Sequence, residues 1–207
     1  MSEVDPSIIE KAKSGDLIIL DTRIPHLFSR RHIPFSVNAP YGSYGWARSI
    51  KEWLDGNTPE IVLVCENQAI CDQAVRDLHA VGISVGSVIS DNLQEWASRN
   101  YPVSAVEELS PAELFNNFNE WTVIDVRDPY EWQSGTVQGS LKIPMNELQE
   151  RVGELSNDRK YAIICAHGNR SQYAATYLAD LGFRAATVVG GMYRWIMESF
   201  PLDDSTQ

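Results

Sequence analysis

A chain of 207 residues, 43% of them apolar, is long enough for one or two compact units that each bury a core. Its 17 basic residues stand against 28 acidic ones, and a net charge of −11 excludes a nucleic-acid-binding surface built from basic patches. Three cysteines without paired spacing give no disulfide framework, the C-x5-C interval from Cys65 to Cys71 is not a zinc spacing, and a reducing compartment follows. Met1 to Asp5 lacks a basic and then apolar leader, and no window approaches the ~18 uninterrupted apolar residues of a membrane span. A cytoplasmic protein with no membrane contact is expected.

In chain order, Asp5-Pro6 opens a first helix, and Ile61-Val62-Leu63-Val64 is an apolar run ending at Cys65. A linker is placed near 101–108. Ser110-Pro111-Ala112-Glu113 is a capping box with proline at the first helical position, so a helix is predicted over 111–119. A buried strand follows over 121–126 and an amphipathic helix over 146–155. A central strand at 161–165 leads to a helix over 171–181 ended by Gly182, and 185–189 is the last long strand. Alternating strands and helices imply an α/β fold with a mainly parallel sheet flanked by helices on both faces. Ligands of such sheets sit beyond the carboxyl ends of the strands, which is where Cys165 falls.

The two halves repeat. Leu20-Asp21-Thr22-Arg23 matches Ile124-Asp125-Val126-Arg127 at an offset of 104, and the 61–65 run matches Tyr161 to Cys165 at an offset of 100. Trp96 pairs with Trp195, and Pro102 with Pro201, at 99. Slowly drifting offsets describe two copies of one domain, here divided as 1–103 and 104–207, because a period near 100 residues is too long for a solenoid.

Cys165, Ala166, His167, Gly168, Asn169 and Arg170 form a tight turn between a buried strand and a helix. Successive amides and a helix N-terminus converge there, so the site favours an anion and a cysteine in its thiolate form. The alternative is a small buried apolar cysteine at a strand end. The first half has Cys65-Glu66-Asn67-Gln68-Ala69-Ile70 instead: Gln68 replaces the turn glycine, Ile70 replaces the arginine, and Glu66 repels an anion. The first domain is therefore expected to be an inactive copy with a structural or docking role, and the second to be catalytic. The second half is also the more acidic, with 8 basic against 15 acidic residues over 105–207, so an anionic substrate must be captured locally by loop amides and Arg170.

The C-x-x-G-x-R-S pattern resembles the rhodanese family of sulfurtransferases, and other family marks stand in order. Ile124-Asp125-Val126-Arg127 is followed by Pro129, Glu131, Gly135, Gly139 and Pro144, then the cysteine loop, then Gly190-Gly191 and Trp195; Thr136 departs from the histidine usual there. The resemblance implies two rhodanese-like domains and an enzyme that moves a sulfane sulfur through a Cys165 persulfide. The donor would be a small anion such as thiosulfate, the acceptor cyanide, a thiol or a sulfur-accepting protein, and no metal or organic cofactor is implied.

Around the nucleophile, Ala166 to Ser171 are expected to line the substrate loop. Arg170 either contacts a donor sulfonate or turns outward to brace the loop, His167 either assists proton transfer or meets solvent, and Ser171 caps the helix and donates to the sulfur. Asp125 and Arg127 are expected to give structural support as an ion pair, Met192 and Tyr193 to wall the pocket, and Cys71 to be inert helix packing. Two rivals remain. The fold also resembles that of the dual-specificity cell-cycle phosphatases, whose loop is one residue longer between Cys and Arg, and a non-catalytic module could bind a partner or sense persulfide.

Overall fold

The computed structural model describes residues 4–203. They divide into two compact units between Ala105 and Val106. In the first, helices α1 (Ser7–Ser14), α2 (Pro25–Arg30), α3 (Trp46–Leu54), α4 (Gln68–Ala80) and α5 (Gln94–Ser98) alternate with strands β1 (Leu17–Asp21), β2 (Val37–Asn38), β3 (Glu60–Val64) and β4 (Ser87–Ile89). The four strands pair in parallel in the order β2-β1-β3-β4.

The second unit repeats the arrangement with one more strand. Strands β5 (Glu107–Leu109), β6 (Trp121–Asp125), β7 (Leu141–Lys142), β8 (Lys160–Ile164) and β9 (Arg184–Val188) form a parallel sheet of order β5-β9-β8-β6-β7. Helices α6 (Pro111–Asn116), α7 (Leu148–Arg151) and α8 (Asn169–Asp180) lie between strands, and α9 (Gly191–Met197) follows the last one. Asp21 lies opposite Val64 in one sheet and Asp125 opposite Ile164 in the other, so the offsets of 104 and 100 are two strands of one register.

Burial follows the pleat. Tyr161, Ile163 and Cys165 point to one side of the sheet, into a cluster with Ala174, Ala175 and Leu178 of α8. Ala162 and Ile164 point to the other, with Leu109, Leu114 and Trp195. Ile61 and Leu63 against Val62 and Val64 divide the first unit in the same way. Two covered faces explain why the central strands read as unbroken apolar runs.

Several elements differ from their sequence expectations. The helix expected over 111–119 ends at Asn116, where the Asn117 side chain takes the Glu113 carbonyl at 2.9 Å, and a 3-10 turn follows at Phe118–Glu120. The helix expected over 146–155 is one α turn, α7, continued as a 3-10 turn through Gly153, a residue that costs a helix interior about 1 kcal/mol. Residues 107 and 108 of the expected linker belong to β5, an edge strand too short to display an alternation.

The largest correction concerns the cysteines. Cys65 directly follows β3 and Cys71 lies in α4, and the turn between them folds the helix start back over the strand end. Their Cα atoms come within 5.6 Å and the two residues form a disulfide. They are neither unpaired nor, for Cys71, simple helix packing; the sequence spacing hid them because proximity here comes from the turn. Cys165 is the free cysteine. Among the described residues, no helix is long and apolar enough to cross a membrane.

At the start of α6, Ser110 Oγ accepts the Glu113 amide at 3.1 Å while the Glu113 carboxylate accepts the Ser110 amide at 2.8 Å. Replacing Ser110→Ala removes one half of this reciprocal cap. Urea unfolding should show a loss of about 1 kcal/mol, and an unchanged midpoint would mean that α6 is held by packing alone.

Candidate active site

Cys165 is the residue after β8, and its thiol is 1% exposed. Three residues on, the chain must reverse into α8 within one turn. Gly168 does this at φ +105°, a left-handed conformation that a side chain would strain, and a Cβ there would also press to 3.2 Å from the Gly190 amide nitrogen. The Gly168 N–H then donates to Cys165 Sγ at 3.1 Å. Ser171 Oγ stands 3.6 Å from the sulfur, as acceptor from the thiol, and also meets the Gly168 carbonyl and Thr187 Oγ1, each at 3.0 Å. Helix α8 begins two residues before Ser171, so Ser171 braces the first turn from inside and Gly168 holds the N-cap position.

The loop rests on the start of α9. Met192 N–H donates to the Cys165 carbonyl at 2.8 Å and Tyr193 N–H to the Ala166 carbonyl at 2.9 Å. A Cβ on Gly191, at φ +58°, would overlap the Cys165 carbonyl oxygen. The Gly190-Gly191 pair is thus the floor that fixes the orientation of the cysteine peptide.

Of the remaining expected site residues, His167 and Asn169 are exposed on the loop and Ala166 is half-buried. The His167 ring stacks on Tyr193 with centroids 5.8 Å apart. Met192 is 2% exposed and packs in the core beside Leu109 and Trp195.

Arg170 is engaged by two carboxylates. Its guanidinium makes two bonds to the Glu131 carboxylate, at 2.7 and 2.8 Å, and one to Asp128 at 3.1 Å. That fork holds the Glu131 carboxyl below its ordinary range, with the Asp128 amide assisting, and the same bonds raise Arg170 further above its own. Asp128 precedes a 3-10 segment, Pro129–Ser134, and forms a capping box across its start with Glu131 inside it. Their Asp-Pro-x-Glu pattern was the sequence signal for these partners of Arg170, which sequence reasoning did not identify.

Asp125 and Arg127 lie deeper, 0% and 3% exposed. Arg127 grips both carboxylate oxygens of Asp125 at 2.7 to 3.1 Å, then spends its remaining donors on the Glu131 and Gly135 carbonyls at 3.1 and 2.8 Å. Charged hydrogen bonds therefore run from the end of β6 through Glu131 to Arg170 and the cysteine loop.

A buried thiol at a strand end, cradled by a left-handed turn and set at the N-terminus of a helix in a parallel α/β unit, defines a class of cysteine-loop domains. The rhodanese-like domain family matches residues 6–99 and again 110–198, and the chain belongs to that family. Among its relatives, YtwF of Bacillus subtilis, provisionally named a sulfurtransferase, is 33% identical over 99 residues, 46% of this chain and 96% of that protein. The thiosulfate sulfurtransferase GlpE of Pseudomonas paraeruginosa is 31% identical over 84 residues, 41% of this chain and 76% of its own. A rhodanese-related protein of Thermoplasma volcanium has a solved structure, 42% identical, that covers 47% of this chain and 98% of its own with a TM-score of 0.47.

Two outcomes test this geometry. Gly191→Ala should lower stability by about 1–3 kcal/mol, since it combines left-handed strain with a backbone overlap; denaturant melts check it, and a neutral result would mean that the floor is not constrained. Glu131→Gln should cost about 1–2 kcal/mol near neutrality. Because Glu131 is depressed in the folded state, its contribution is present above the ordinary carboxylate range and lost as pH falls through the lowered value. Melts of variant and wild type should therefore converge in acid; a constant difference would show that the pair is not the cause.

Proposed function

We propose that the protein is a sulfurtransferase that carries a sulfane sulfur as a persulfide on Cys165. The observation that carries this is the Gly168 N–H donating to Cys165 Sγ at 3.1 Å in a loop set at the N-terminus of the 12-residue helix α8. A charge on sulfur at that point gains from a backbone donor and from the helix terminus. The names of the sulfurtransferase relatives support the same chemistry.

In the proposed cycle the Cys165 thiolate attacks the outer sulfur of thiosulfate. The sulfur–sulfur bond of the donor breaks, sulfite leaves with the bonding pair, and Cys165 holds the transferred sulfur. A cyanide or thiol acceptor then attacks the terminal sulfur and the thiolate departs. Splitting the transfer into two displacements is covalent catalysis, and the Gly168 amide faces Sγ, where charge resides in the thiolate and returns as Cys165 departs in the second step. Arg170, occupied by Glu131 and Asp128, serves as a positioning residue that ties α8 to the Pro129–Ser134 segment. The first unit, without the turn glycine or the arginine, takes no part as a second rhodanese site.

Cys165→Ser should abolish one-sulfur loading in intact-mass spectra after thiosulfate treatment and lower cyanide-acceptor turnover by about 10³-fold or more. Cys65→Ser should leave most of it. Full loading of the Cys165→Ser protein, lost in Cys65→Ser, would reverse the assignment, and hydrolysis of aryl phosphates with no response to sulfur donors would overturn the sulfur chemistry itself.

A further inference from the structure

The disulfide of the first unit occupies the place where the second unit keeps its thiol. Cys65 follows β3 as Cys165 follows β8, and each carbonyl accepts an amide from the segment after the next strand, Asn92 at 3.1 Å and Met192 at 2.8 Å. Cys71 stands where the second unit has Ser171, the hydroxyl 3.6 Å from the Cys165 sulfur. Substituting sulfur for that hydroxyl puts two sulfur atoms side by side at the same spot in the fold.

A staple is a poor account of this bond. The loop that it closes spans a sequence separation of only six, and short loops gain least from cross-linking. The second unit builds the same sheet and helix with a serine at that position, so the fold does not require the bond. The turn 66–70 that joins the two cysteines exposes Asn67, Gln68 and Ala69, and Cys65 is buried to nearly the same degree as Cys165, at 0% against 1%.

We propose that Cys65 and Cys71 form a redox-active thiol pair, with Cys65 as the attacking thiol and Cys71 as the resolving one, whose substrate class is a low-molecular-weight disulfide or dithiol. In the oxidising direction the Cys65 thiolate attacks one sulfur of the incoming disulfide and forms a mixed disulfide, releasing one thiolate. The Cys71 thiolate then attacks Cys65 Sγ and displaces the second thiolate. Two electrons pass to the small disulfide, and the protons of the two protein thiols go to the departing thiolates. A small dithiol reverses both steps. The proposal rests on the repeat geometry and not on the sulfur-transfer reading of Cys165, so either can fail alone.

The test uses the full chain carrying Cys165→Ser, which leaves only this pair. Under native conditions with dithiothreitol, alkylation and intact mass should report both cysteines free, and hydroxyethyl disulfide, which carries no charge for Glu66 to repel, should return them to the bridged form with no mercaptoethanol attached. Adding Cys71→Ser, which installs the hydroxyl that the second unit already tolerates, should trap one mercaptoethanol on Cys65. A bond that resists dithiothreitol until the protein is unfolded would overturn the proposal. So would a reduced Cys71→Ser form that never acquires the adduct.

Discussion

The close backbone crossing beneath Cys165 is the constraint on which the second unit's site depends. Carbonyls 165 and 166 accept the first amides of α9, and only a residue without a Cβ fits at Gly191. Once that floor is fixed, the cysteine peptide cannot rotate, the reversal at Gly168 follows, and an amide is aimed at the sulfur. The first unit makes a related crossing without glycine: Asn92 and Leu93 adopt φ of +54° and +61°, and the amide bond to Cys65 is longer. A left-handed leucine is costly, and Leu93 holds it while fully buried among Ile19, Val64 and Trp96.

Comparison of the two units separates what serves the sheet from what serves the loop. The buried Asp-Arg pair is kept in both: Arg23 grips Asp21 and donates to the Arg31 carbonyl, as Arg127 grips Asp125 and donates to that of Gly135. That pair therefore belongs to the sheet end common to both. Asp128, Glu131 and Arg170 behave differently. Their positional equivalents are Ile24, Leu27 and Ile70, so both signs of charge are absent together. Losing one partner alone would leave a half-buried charge unpaired; losing all three leaves no charge to pair, and Ile24 is exposed.

Much of this was legible in the sequence where a pattern has a local cause. The capping box at Ser110, the glycine after α8, the apolar central strands and the double offset each arise from backbone geometry or from a two-faced sheet, and all reappear in the structure. What stayed hidden depends on chain reversal. The Cys65–Cys71 bond needs a helix folded back over a strand end, and the Arg170–Glu131 pair joins residues 39 apart. Short elements such as β5 and the broken helix after Leu148 are set by their neighbours, because three or four residues carry no period.

The pairing of Arg170 changes how an anion would be held in the proposed sulfur transfer. An unpaired guanidinium would supply a full positive charge, but here two carboxylates already balance it. In a unit with 15 acidic and 8 basic residues over 105–207, no long-range field draws an anion in either. The attraction that remains is short-ranged and belongs to the backbone: the Gly168 amide and the unpaired first-turn amides expected at any helix start. Such donors favour charge located at the sulfur over charge elsewhere on the donor molecule. In the proposed second displacement Cys165 is the leaving group and charge builds on its Sγ, so a donor aimed there is worth more in that transition state than in the persulfide ground state.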